Sequence, residues 1–305
     1  MKKFLLILAI LAAIIFVIFA LTGRQGQPTS DSGKITIITT LFPLFDMARD
    51  IGGSDVQVTL MLPPGVEAHA FEPTPSDIVK INTADIFVYT GKFMEPWVED
   101  ILKGVTNKNL IIVDSSAGIS INEQTGDQID PHIWLDFDNA KMMAENIEQA
   151  LAKKSPNNID YYALQLQNYS SELDSLDNQY KTELTNCKTN QIIYGGHYAF
   201  GYLARRYDLK YSALQGVSPD AEPTAQDLVR LVEEIKISDI KYIFYEELAS
   251  PKLAQTIARE TGAKLLLLNA AHNITRDQLA AGVSFFDLMR ANLDNLKIGL
   301  ECQTK

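Results

Sequence analysis

Apolar positions along this chain fall into two kinds of block. The first kind is short. Ile35 to Thr40, Val56 to Leu62, Asp85 to Tyr89 and Leu110 to Val113 lie in the first half; Gln191 to Tyr194, Lys210 to Leu214, Tyr242 to Tyr245 and Leu265 to Leu268 lie in the second. Runs of this length, closed off by Gly, Pro, Asn or Asp, read as buried strands. Between them the pattern changes to helical spacing. Helices are expected from Phe42-Pro43 to Gly52-Gly53, from Thr74-Pro75-Ser76-Asp77 onward, around Trp97, and over Asn139 to Ala152. Others follow over Pro223 to Ile237, over Ser250 to Thr261 with Gly262 as its stop, and from Phe285 to about Leu300. Strand and helix alternating at short range imply βαβ units and mostly parallel sheets.

The second kind of block is a single long stripe. Tyr162, Leu166, Tyr169, Leu173, Leu176, Tyr180 and Leu184 recur at steps of four and three. That rhythm places them on one face of a long helix, with Asp, Glu, Ser, Asn and Gln on the other. The expectation is an α/β protein of two lobes, each a mostly parallel sheet flanked by helices, joined by one long rigid helix. The boundaries expected are 34–158 for the first lobe, 159–186 for the linking helix and 187–305 for the second lobe.

Residues 1–33 do not fit that plan. Lys2 and Lys3 precede an unbroken apolar run from Phe4 to Leu21, and a polar tether follows from Gln25 to Lys34. A charged start with an apolar centre is a secretory signal, and this centre is also long enough to span a bilayer. A cleaved signal and a retained anchor both remain open. Arg24 stands where a lipid-bearing cysteine would be expected, so lipid attachment is not supported. Either reading places the rest of the chain outside the cytoplasm, secreted or anchored to the outer face of the membrane. In such a compartment Cys187 and Cys302 are most simply a disulfide, with two free thiols as the alternative. The net charge of −11 argues against nucleic acid as a partner.

Candidate chemistry sits in four histidines. His69 lies in Pro63-Pro64-Gly65-Val66-Glu67-Ala68-His69-Ala70-Phe71-Glu72-Pro73-Thr74-Pro75, a loop stiffened by proline on both sides. His197 and His272 each follow an expected strand by a few residues, and His132 closes a loop that follows one. The carboxyl ends of parallel strands face one crevice, so two facing lobes would bring the four imidazoles to one cleft. Neutral imidazoles in that number suit Zn²⁺. Taken singly, each is as well explained as a loop residue making a hydrogen bond.

Three segments carry a resemblance. Pro64-Gly65 through Pro75, Asp130-Pro131-His132-Ile133-Trp134-Leu135-Asp136 and Gly196-His197-Tyr198-Ala199-Phe200-Gly201-Tyr202 resemble the signature segments of the zinc- and manganese-specific solute-binding proteins of ABC uptake transporters. The likeness runs from about Lys34 to Cys302. It implies a metal held between two α/β lobes, with His69 and His132 as ligands from the first and His197 from the second. It further implies a membrane permease as partner, a monomer, and capture without catalysis. Histidine rather than glutamate at the third position favours zinc over Mn²⁺. The chain departs from the family at the fourth ligand, where Asn269 stands in place of the usual aspartate. His272, Glu246 or a water could complete the shell. An exported zinc hydrolase is the reading from another class; it lacks a His-Glu-x-x-His helix, and Glu246 is its one obvious base.

Overall fold

A computed structural model describes residues 33–121, 129–217, 223–248 and 251–303. The N-terminal signal or anchor segment lies outside the described residues, as do Glu123 and Asp127 of the polar loop before His132. Residues Ile35–Lys305 form one compact unit.

In chain order the first half runs β1 (Ile35–Thr39), α1 (Phe42–Gly52), β2 (Val56–Leu60), α2 (Pro75–Thr83), β3 (Ile86–Tyr89), α3 (Val98–Lys103), β4 (Ile111–Asp114) and α4 (Phe137–Lys154). The long helix α5 (Ile159–Glu183) follows. The second half runs β5 (Gln191–Tyr194), α6 (Gly201–Arg206), β6 (Lys210–Ala213), α7 (Ala225–Ile237), β7 (Tyr242–Tyr245), α8 (Lys252–Thr261), β8 (Lys264–Leu267), α9 (Arg276–Ala280) and α10 (Phe285–Gly299). Each half holds one four-stranded sheet, in the orders β2-β1-β3-β4 and β6-β5-β7-β8. Among the described residues, all strand pairings within the two sheets are parallel. The two sheets therefore share one topology, with the reversal of strand order between the first and third strands of each.

Local chemistry sets the helix starts. Thr74, Thr224, Thr275 and Ser284 each form a capping box with the residue three positions on, which satisfies two backbone N–H groups that the first turn leaves free. Asp136 caps α4 by accepting from the N–H of Asp138 at 2.9 Å. Gly262 closes α8 at φ 76°, a left-handed value that favours glycine. The short helix α9 was not expected from periodicity, because five residues are too few to show any.

The long helix is packed into the core along its apolar stripe. Its stripe is buried at Tyr162, Tyr169, Leu173, Leu176 and Tyr180, and these residues belong to one apolar core. That core also takes in Trp134 and Phe137 from the first half and Tyr194, Phe200, Phe244 and Leu296 from the second. Two smaller clusters lie elsewhere, one around Phe87 and Ile81, the other around Ile243 and Leu231. A disulfide joins Cys187 to Cys302 and ties the end of α5 to the chain end beyond α10.

Candidate metal centre

His69, His197 and His272 follow strand ends, and His132 closes the longer loop after β4. After β2, the chain turns at Pro63-Pro64-Gly65, where Gly65 takes φ 85° and Val66 N–H donates to Pro63 O at 3.1 Å. The Glu67 carboxylate accepts from Ala70 N–H at 2.8 Å and closes the loop around His69. His69 is half-buried; the other three imidazoles are buried. After β4 the chain reaches Asp130-Pro131-His132. One Asp130 oxygen accepts from both the backbone N–H of His132, at 3.0 Å, and its Nδ1, at 2.7 Å. After β5, Gly195-Gly196 leads to His197, whose Nδ1 lies 2.9 Å from Glu246 Oε2. A β-carbon at Gly196 would stand 2.6 Å from that same oxygen, so only glycine lets the carboxylate approach.

His272 follows β8 through a turn in which Ala271 takes φ 59°. That turn is built by Asn269. Its Oδ1 accepts from Ala271 N–H at 2.7 Å, while its backbone N–H and C=O pair with the Asn292 side chain, each at 2.7 Å. Asn269 is therefore committed to holding the turn. Glu246, considered above as a ligand or a base, stands behind the His197 ring instead. Of the fourth-ligand candidates, His272 is the one whose ring atom is free: its Nε2 is buried and has no hydrogen-bond partner. The Trp134 ring meets the His272 ring edge-on with centroids 5.3 Å apart.

The four rings converge. One potential donor atom from each of His69, His132, His197 and His272 lies within 4.8 Å of all the others. His69 Nε2 is 3.2 Å from His132 Nε2, and His132 Nε2 is 3.3 Å from His197 Nε2. With Nδ1 of His132 and His197 donating to carboxylates, their Nε2 atoms present lone pairs to each other. Two lone pairs at that distance repel unless a cation lies between them. The edge of a zinc–nitrogen tetrahedron with bonds of 2.0–2.1 Å is about 3.3–3.4 Å. The spacing matches that edge.

Electrostatics keeps the donors available. Burial pushes His69 down to about 3, with the neighbouring His197 adding to the effect. Burial also holds His132 and His272 well below the ordinary imidazole value, reinforced by the surrounding histidines. Behind them, burial raises Asp130 to about 7; it raises Glu247 to about 8, with the charge of Glu246 adding. Two aspartates, Asp130 and Asp136, flank His132 in sequence. Asp130 is the one that faces its ring, and Asp136 caps α4 and pairs with Arg206 at 2.8 Å.

Comparison with known proteins identifies the family. The family profile described as "Zinc-uptake complex component A periplasmic" matches residues 37–299. The chain belongs to this family. One relative is the high-affinity zinc uptake system protein ZnuA of Bacillus subtilis (strain 168), 34% identical over 290 residues, covering 90% of this chain and 91% of the relative. Another is the zinc-binding protein AdcA of Streptococcus pyogenes serotype M18 (strain MGAS8232), 33% identical over 320 residues. That match covers 97% of this chain but spans only 61% of the longer relative. Among solved structures, the Zn(II)-bound ZnuA-like domain of Streptococcus pneumoniae AdcA superposes with a TM-score of 0.78 at 34% identity. It covers 88% of this chain and 100% of that domain. Family membership thus rests on nearly the whole described chain, both sheets included.

Proposed function

We propose that this protein captures Zn²⁺ outside the cytoplasm and delivers it to the permease of an ABC transporter. His69, His132, His197 and His272 take the place of water around the ion. The observation that carries this reading is the pair of Nε2–Nε2 separations, 3.2 and 3.3 Å, between rings from three different strand ends. The family's description, a periplasmic component of a zinc-uptake complex, supports the location and the partner. Four neutral nitrogens with no carboxylate among them favour zinc over Mn²⁺, which suits oxygen donors.

Catalysis finds no support in this arrangement. A catalytic zinc keeps one position open for water beside a free base. In this reading a fourth imidazole takes that position, and the carboxylates of Asp130 and Glu246 each face a histidine Nδ1.

Metal analysis of protein purified without added metal is the direct test, run beside His197→Ala. The wild type should carry about one zinc per chain, and the variant should lose it on dialysis. Retention of stoichiometric zinc by His197→Ala would contradict the ligand set. Manganese in place of zinc in the wild type would overturn the choice of metal.

A further inference from the structure

One buried side chain near the cleft belongs neither to the ligand set nor to its carboxylate partners. Asn273 follows His272 directly and is fully buried. Its Oδ1 accepts from Ile274 N–H at 2.8 Å. Its Nδ2 reaches across to the loop that carries His69 and donates to two carbonyls there, Pro63 O at 2.7 Å and Val66 O at 2.9 Å. A third bond runs the other way, from Gly65 N–H to Ile274 O at 2.9 Å. These contacts join segments more than 200 positions apart in sequence. They attach the His69 loop to the strand-end segment of the opposite half.

That attachment falls where it matters. Between Val66, the last residue Asn273 holds, and His69 there are two residues, and His272 is the adjoining position. His69 is also the one half-buried histidine of the four, so its ring is the one that faces the way in and out. A ligand on a loop without anchorage would spend part of its time off the ion. An amide with both hydrogens donated to that loop removes this freedom.

We propose that Asn273 is a positioning residue that latches the His69 loop to the His272 segment and so slows release of the metal. This rests on the reading that the four histidines hold the cation. The latch acts through His69, which gives it a signature that a general structural role lacks.

The experiment is a double-mutant cycle on zinc binding to the full chain, read by chelator competition and stopped-flow release. Asn273→Ala should weaken zinc binding by about tenfold, nearly all of it in a faster off-rate. In a His69→Ala background the same change should cost less than about threefold, because the loop no longer carries a ligand. In the cobalt-loaded Asn273→Ala protein, the visible absorption of a tetrahedral site should weaken toward that of higher coordination. Equal losses in both backgrounds, or no loss in Asn273→Ala, would overturn the latch. Asn273→Ser, which keeps one donor, serves the same cycle if the alanine variant does not fold. Failure of both variants to fold would also overturn it, since the side chain would then hold the fold rather than the site. If His69→Ala itself binds zinc as the wild type does, the ligand reading falls first and the latch falls with it.

Discussion

At the scale of single residues, burial decides which groups carry charge. The imidazoles of His69, His132 and His272 stay neutral at pH 7 because their environment disfavours the protonated form. Sequence alone suggests proton competition near the ordinary imidazole value of about 6.5. For His69, His132 and His272 it sets in at lower pH. The same physics acts in the opposite direction on Glu95, at the carboxyl edge of the first sheet. Its carboxylate accepts from the Thr40 hydroxyl at 2.5 Å, Thr90 N–H at 3.1 Å and Gly91 N–H at 3.0 Å. Burial outweighs these bonds and raises the group from 4.5 to about 7. Between those two values the folded protein keeps a proton that the unfolded chain has lost. Stability from this group is therefore greatest below pH 4.5 and is lost as pH rises toward 7. Glu95→Gln removes that slope. Urea unfolding of metal-free protein at pH 5 and pH 8 should show the wild type losing up to about 3 kcal/mol relative to the variant over the interval. Parallel changes in both proteins would refute the assignment.

At the scale of elements, one cation holds three helices together. Arg206 ends α6 and is nearly buried, at 10% exposure. Its Nε and Nη2 bond the two oxygens of Asp177 on α5, at 2.7 and 2.8 Å. Its Nη1 bonds Asp136 and Asp138 at the start of α4, each at 2.8 Å. The Tyr207 hydroxyl adds a bond to Asp177 at 2.8 Å. Burial by itself would raise Asp177, but the bonds from Arg206, Lys181 and Tyr207 prevail and hold its carboxyl well below the usual range. Lysine cannot reproduce a two-pronged bond to one carboxylate. Arg206→Ala should destabilise the protein by about 3 kcal/mol, and Arg206→Lys by less. Since Asp177 must be ionised, the deficit should shrink as pH falls below about 4. Thermal melts of the two variants at pH 7 and pH 3.5 would check both statements. None of this could be read from the chain beforehand. The apolar stripe of α5 announces Tyr162, Leu173 and Tyr180 through spacing, but Asp177 sits among them as one more polar residue until Arg206 arrives from another element. The strand ends were legible for the converse reason: short apolar runs closed by Gly and Pro mark them locally, and three of the four histidines follow within several residues, while His132 closes a longer loop. Asp130 beside His132 could be suspected from its nearness in sequence. Glu246 behind His197 and Asn273 across from Pro63 act over tertiary distances, which spacing does not encode.

At the scale of the whole molecule, the question is how a closed centre lets its ion go. A wide hinge between independent lobes would need a weak boundary, and the boundary here is not weak. A single apolar core runs through both halves and through α5. Backbone and side-chain bonds cross it at several points: Phe42 N–H to His272 O at 3.1 Å, Trp134 Nε1 to Ala270 O at 2.7 Å, and Phe285 N–H to Asp46 Oδ2 at 2.8 Å. Opening the halves as rigid bodies would break these bonds together and expose apolar surface. Movement is cheaper in the His69 loop, which forms one wall of the centre and carries its one half-buried histidine. Release should therefore leave the overall shape unchanged. X-ray scattering from zinc-loaded and zinc-stripped protein should give radii of gyration within roughly 0.5 Å of each other, the behaviour of a preorganised binder. Hydrogen exchange should meanwhile rise on zinc removal over the His69 loop, residues 63–74, and stay constant along the long helix α5. An increase in radius of more than about 1 Å, or faster exchange spread over α5, would mean that the halves swing apart after all.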